Sequence, residues 1–124
     1  MNTKTVLCFS DLDSWKQSHL LALDIYKISG RFPKTEIYNL ISQIQRAAVS
    51  VGANIAEGFY RYHYKEKMHF YYIARGSLGE VQNFLHISKD LGYISKNEFD
   101  NLWNQSLSSL KLVNGLIKAV EKRV

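Results

Sequence analysis

At 124 residues and 46% apolar content, the chain has the size of one domain and can bury a real core without staples. A single cysteine excludes an intramolecular disulfide or a cysteine zinc site, and one proline with seven scattered glycines argues against an all-β fold. Sixteen Lys and Arg against eleven Asp and Glu leave +5, which admits a nucleic-acid or acidic partner without requiring one.

Residues 1–10 read as a flexible N-terminal arm. The apolar run Val6 to Phe9 is too short for a signal-peptide core. The longest uncharged runs, Ala47 to Ala56 and Asn101 to Leu110, fall well short of the roughly 20 residues of a membrane span. These features predict a soluble, cytoplasmic protein with no membrane contact.

A first helix is expected over about 11–29, capped by Ser10 or Asp11. Leu12, Trp15, His19, Ala22 and Tyr26 recur at helical spacing and form its expected apolar seam. Gly30 and Pro33 stop it.

A second helix is expected over 35–58, with Thr35 as cap and Glu36 in the first turn. Ile37, Ile41, Ile44, Ala48, Val51 and Ile55 share one face. Gln43, Arg46, Ser50, Asn54, Glu57 and Arg61 share another. Amides, a hydroxyl and single opposite charges suit a hydrogen-bonded contact with another helix or subunit; the other reading is a solvated face. Glu80 is a candidate partner for Arg46 or Arg61. Gly52 predicts a bend or a close helix approach, and Gly58 predicts the helix end.

A third helix over 64–91 carries Phe70, Ala74, Val81, Leu85 and Ser88 on one side. Ala74, Gly76, Ser77 and Gly79 make its middle thin enough for close packing, and Gly92 ends it. A fourth, over 95–122, opens on a capping box of Ser95 and Glu98. Phe99, Leu102, Ser106, Leu110, Val113, Ile117 and Val120 follow in a three-four alternation. Residues 11–124 are therefore expected to fold as an all-α, antiparallel up-and-down four-helix bundle.

The motifs of enzymes are missing. Glu66 and His69 have the Glu-x-x-His spacing of di-iron bundles, but no second such pair exists. No phosphate loop or nucleophile elbow occurs. No catalytic residue, metal ligand or cofactor is expected.

The segment from Phe59 to Arg75 is the candidate binding surface. Arg61, Lys65, Lys67 and Arg75 stand against Glu66, with Tyr62 and Tyr64 among the interleaved aromatics. Cations hold phosphates and exposed rings stack on bases, so this pattern suits RNA or DNA bound without strong sequence selectivity. The alternative is a solvated rim around core aromatics.

Several pieces resemble a bacterial four-helix-bundle family first named for proteins encoded in intervening sequences of large-subunit ribosomal RNA genes. Accessory proteins of diversity-generating retroelements are related to it. The matching pieces include Trp15-Lys16, Phe32-Pro33-Lys34, Gln43 with Arg46-Ala47, Asn54-Ile55-Ala56-Glu57-Gly58 with Arg61, and Gly76-Ser77 with Glu80. The resemblance implies a ring-like homopentamer with basic surfaces and a role close to RNA or DNA. It also implies a possible protein partner, such as a reverse transcriptase or ribonucleoprotein component, and no catalytic residues. Two positions depart from the pattern: Gly52 stands where proline is common, and Gln45 where a basic residue is frequent.

Overall fold

The computed structural model describes residues 5–124. Four long helices carry the fold: α1 (Asp13–Ser29), α2 (Ser42–Phe59), α3 (Tyr64–Asp90) and α4 (Lys96–Glu121). Among the described residues there is no strand. Each helix packs on its chain neighbour, and α1 closes the bundle against α4. Cross-helix bonds set the directions. Gln105 Nε2 donates to Asp24 at 2.9 Å, and Arg31 pairs with Glu98 one helical stretch further down, so α1 and α4 run antiparallel. Ser77 to Ser50 and Lys67 to Phe59 do the same for α2 and α3.

The apolar lines of α3 and α4 match the expected periodicity closely. Ala74, Leu78, Val81 and Leu85 are fully buried opposite Leu102, Val113 and Ile117. The Ser95 hydroxyl accepts from Glu98 N–H at 3.1 Å, and Glu98 Oε1 accepts from Ser95 N–H at 2.9 Å, closing the capping box. Those bonds, with Arg31 beside it, hold the Glu98 carboxyl below its ordinary range.

On α1 the expected seam is one position out. The buried line is Ser14, Ser18, Leu21, Ile25 and Ser29, while His19 and Tyr26 are exposed and Trp15 and Ala22 lie half-buried at the edge. Serine succeeds inside because it is small and can bond within its own helix. Ser18 Oγ donates to the Ser14 carbonyl at 2.7 Å, and Ser29 Oγ accepts from Gln45 Nε2 at 3.0 Å. Among the described residues, the buried hydroxyls of Ser14 and Ser109 have no partner. A buried hydroxyl that makes no bond costs stability, so Ser109→Ala should raise stability by about 1 kcal/mol. Thermal melting checks this; a lower Tm would mean that the hydroxyl is bonded in solution.

The start of α2 also differs. A 3-10 turn (Lys34–Glu36) and a π turn (Ile37–Ile41) precede it, and Asn39 is non-helical inside the latter. Thr35 makes no cap bond. Leu40 turns into the core while Ile37 and Tyr38 face outward, and the break at Asn39 separates the two registers. Gly52 provides the close approach rather than a break: a Cβ there would lie 3.2 Å from Trp15 Nε1. Gly58 sits one residue inside the end of α2, against Tyr71.

Residues 7–11, read in part as loose arm, are held down. The N–H groups of Leu7 and Cys8 donate to Asp11 Oδ2 at 2.9 and 3.1 Å. Phe9 packs edge-on against Trp15 and Tyr60. Of the rest of the expected arm, Thr5 and Val6 are exposed, and residues 1–4 lie outside the described residues.

Candidate nucleic-acid interface

The six residues singled out between Arg61 and Arg75 do not all point the same way. Arg61 lies over the Phe70 ring at 4.7 Å and pairs with Glu57 at 3.4 Å, one turn back on the same stretch. Lys65 is exposed in the first turn of α3. Lys67 is turned inward. Its Nζ donates to the Phe59 carbonyl at 2.7 Å and the Gly58 carbonyl at 3.3 Å, capping the open end of α2. Burial there holds the ammonium below the ordinary lysine range. Lys67 therefore ties α2 to α3, and its charge is partly withdrawn from the surface.

Arg75 is exposed, lies over the Tyr72 ring at 5.0 Å and donates to Asn114 Oδ1 on α4 at 3.3 Å. Tyr62 is 87% exposed in the α2–α3 link, with His63 edge-on at 5.0 Å. Tyr64 carries Arg123 over its ring at 5.7 Å. That contact brings the end of α4 beside the start of α3, and Lys65, Glu66 and Val124 share the shallow cleft between them. Glu66 and His69 are both exposed, and His69 lies edge-on to Phe70.

The α4 contribution was not singled out from the sequence. Lys118, Lys122 and Arg123 read as cations suited to a helix C-terminus. The antiparallel packing sets them beside Lys65 and Arg75. Residues 64–75 and 111–123 together hold seven cations and two carboxylates, whereas 76–90 and 96–110 hold two cations and four carboxylates. The α3–α4 pair is thus positive at one end and negative at the other.

The polar stripe of α2 is partly wet. Gln43, Arg46 and Glu57 are exposed, while Ser50 and Asn54 are half-buried. Asn54 Nδ2 donates to the carbonyl and hydroxyl of Ser50 at 2.8 and 3.0 Å. Ser77 Oγ donates to Ser50 Oγ at 2.8 Å and links this stripe to α3, as Arg61 does over the Phe70 ring. Glu80 is exposed, and among the described residues it pairs with neither Arg46 nor Arg61. Gly76 and Gly79, expected to permit close packing, are exposed, and a Cβ on either would meet nothing within 4 Å.

On the opposite side, the aromatics displaced from the α1 core line border an apolar cleft with α2. Phe9, Trp15, Tyr26, Val49, Gly52 and Ala53 line it.

An antiparallel four-helix bundle with a polar stripe on α2 and a charge-segregated α3–α4 pair defines a class of small helical proteins. The model of the family described as 23S rRNA-intervening sequence protein matches residues 10–115, and the chain belongs to that family. Among solved structures, the chain is similar to a protein of unknown function from the S23 ribosomal protein family of Bacteroides thetaiotaomicron, with a TM-score of 0.76 and 24% identity. The match covers 85% of this chain and 98% of the other, and shows a shared fold. No curated protein sequence matches. Among the described residues, no helix is long and apolar enough to cross a membrane.

Proposed function

We propose that the chain is a cytoplasmic, non-enzymatic protein that assembles as a ring-like homopentamer and binds RNA or DNA through phosphate contacts with little sequence selectivity. The observation that carries the binding is the concentration of cations where α3 begins and α4 ends. The apolar cleft of α1 and α2 supports assembly, since an exposed apolar surface of this kind suits a protein neighbour. A second reading, an accessory scaffold that docks a reverse transcriptase or ribonucleoprotein component, rests on the same cleft.

The test is salt-dependent binding to labelled duplex and single-stranded RNA and DNA, with mass measured by light scattering in the same buffer. Affinity should fall on a log–log slope of roughly −0.7 to −0.9 per phosphate neutralised. Replacing Arg61, Lys65 and Arg75 together by alanine should flatten that slope by about two per protomer. An unchanged slope removes this surface. A well-folded oligomer that binds no nucleic acid at low salt leaves the scaffold reading.

A further inference from the structure

The geometry points to a single strand as the form of nucleic acid taken by the α3–α4 surface, with Tyr62 stacking on a base and the outward lysines of α4 holding the backbone. This rests on the nucleic-acid reading above and names its ligand.

The buried line of α4 runs through Val113, Ile117 and Val120. Lys111, Gly115, Lys118 and Lys122 recur at helical spacing on the opposite, exposed face. From Lys111 to Lys122 the stripe spans about 16 Å along the helix. Gly115 leaves no side chain between Lys111 and Lys118, and a Cβ there would meet nothing within 4 Å. The stripe is therefore a shallow, positively charged track with no ridge across it.

Two arginines flank the track on rings. Arg75 lies over Tyr72 and Arg123 over Tyr64. A guanidinium resting on a ring has lost part of its freedom already, so less is lost when it grips a phosphate. Among the described residues, Lys65, Arg75, Lys111, Lys118, Lys122 and Arg123 form no ion pair, which leaves their charge for a partner.

Tyr62 stands in the α2–α3 link, two residues before the Tyr64 ring on which Arg123 rests. One exposed tyrosine alone carries no meaning. With Lys65 three residues on and Arg123 resting on the nearby Tyr64 ring, it has the combination that single-strand binders use, a charged groove with an aromatic platform. A duplex keeps its base faces inside the stack and offers this ring nothing. Phosphate and ring contacts ignore the 2′-hydroxyl, so RNA and DNA strands should bind alike.

Anisotropy with labelled oligomers of about 12 units tests this on the purified full chain: oligouridine, oligothymidine, a base-free strand and a duplex. Oligouridine should bind about tenfold tighter than the duplex or the base-free strand, and oligothymidine within about threefold of oligouridine. Tyr62→Ala should lose about tenfold on oligouridine and nothing on the base-free strand, with Tyr62→Phe retaining affinity. The pair Lys118→Glu and Lys122→Glu should weaken every strand at least tenfold, while the charge-matched pair Lys27→Glu and Lys34→Glu at the other end should not. All these side chains are exposed, and circular dichroism verifies the fold. A duplex or base-free strand bound as tightly as oligouridine overturns the single-strand inference and leaves nucleic-acid binding standing. Equal losses from the two charge-matched pairs remove the α4 track. No binding to any of the four overturns this inference and the reading beneath it.

Discussion

Gly58→Ala should destabilise the protein by about 1 kcal/mol, although the same change inside most helices stabilises. The reason is contact. A Cβ on Gly58 would lie 2.7 and 3.0 Å from Tyr71 Cε1 and Cδ1, and 3.1 Å from Phe70 Cβ. Tyr71 is only 3% exposed and has little room to turn away. Overpacking of this kind typically costs about 1–3 kcal/mol, against a helix-propensity gain near 1 kcal/mol. A fall in Tm of several degrees, at roughly 4 °C per kcal/mol, is the readout. Gly76→Ala and Gly79→Ala supply the contrast. Both sites are open and lie within α3, so each should gain about 0.5–1 kcal/mol. If Gly58→Ala melts at or above the parent temperature, the tight seam between α2 and α3 is wrong.

Lys67→Met should cost stability by about 1–2 kcal/mol while changing nucleic-acid affinity less than Lys65→Met does. Methionine keeps the apolar stem, so the loss reports the two carbonyl bonds at Gly58 and Phe59 rather than packing. Charge-assisted bonds are worth about 1.5–3 kcal/mol, and the low end applies because the ammonium is only partly withdrawn from water. Two measurements separate the roles, Tm for the cap and binding anisotropy for the phosphate. If Lys67→Met leaves Tm unchanged and weakens binding as much as Lys65→Met, the side chain faces the ligand.

The sequence was most legible where one residue type answered to one constraint. On α3 and α4 most third or fourth positions are Ala, Leu, Val, Ile or Phe, with Ser88 and Ser106 among them, and burial follows. The capping box of Ser95 and Glu98 needs three residues of local chain and nothing else. Misreadings came where tertiary packing reversed a local preference. On α1, bulk suggested that Trp15, His19 and Tyr26 were core, but the inner line goes to Leu21, Ile25 and three serines, of which Ser18 bonds its own helix and Ser29 meets Gln45. The glycines of α2 and α3 look alike in sequence. Gly52 and Gly58 face rings from neighbouring elements, whereas Gly76 and Gly79 face open space.

The candidate surface divides the same way. Its α3 half was visible as a dense run of cations and aromatics. Its α4 half lies more than thirty-five residues away in the chain, and only antiparallel packing brings the two together. Lys67 was indistinguishable from Lys65 by composition. Its inward turn depends on the position of the α2 carbonyls, which no local pattern encodes.

The polarity of the α3–α4 pair comes from side chains, since antiparallel helices set their peptide dipoles against each other. Side-chain charges at a surface are screened over about 10 Å at 0.1 M salt. Helix α3 has 27 residues, or about 40 Å of axis. The centres of the basic and acidic segments of α3, residues 64–75 and 76–90, are thus about 20 Å apart, roughly two screening lengths. In ordinary buffer the α3–α4 pair therefore behaves as two weakly coupled charged segments on one rod, and a polyanion gripped at the basic end is only weakly repelled by the acidic one.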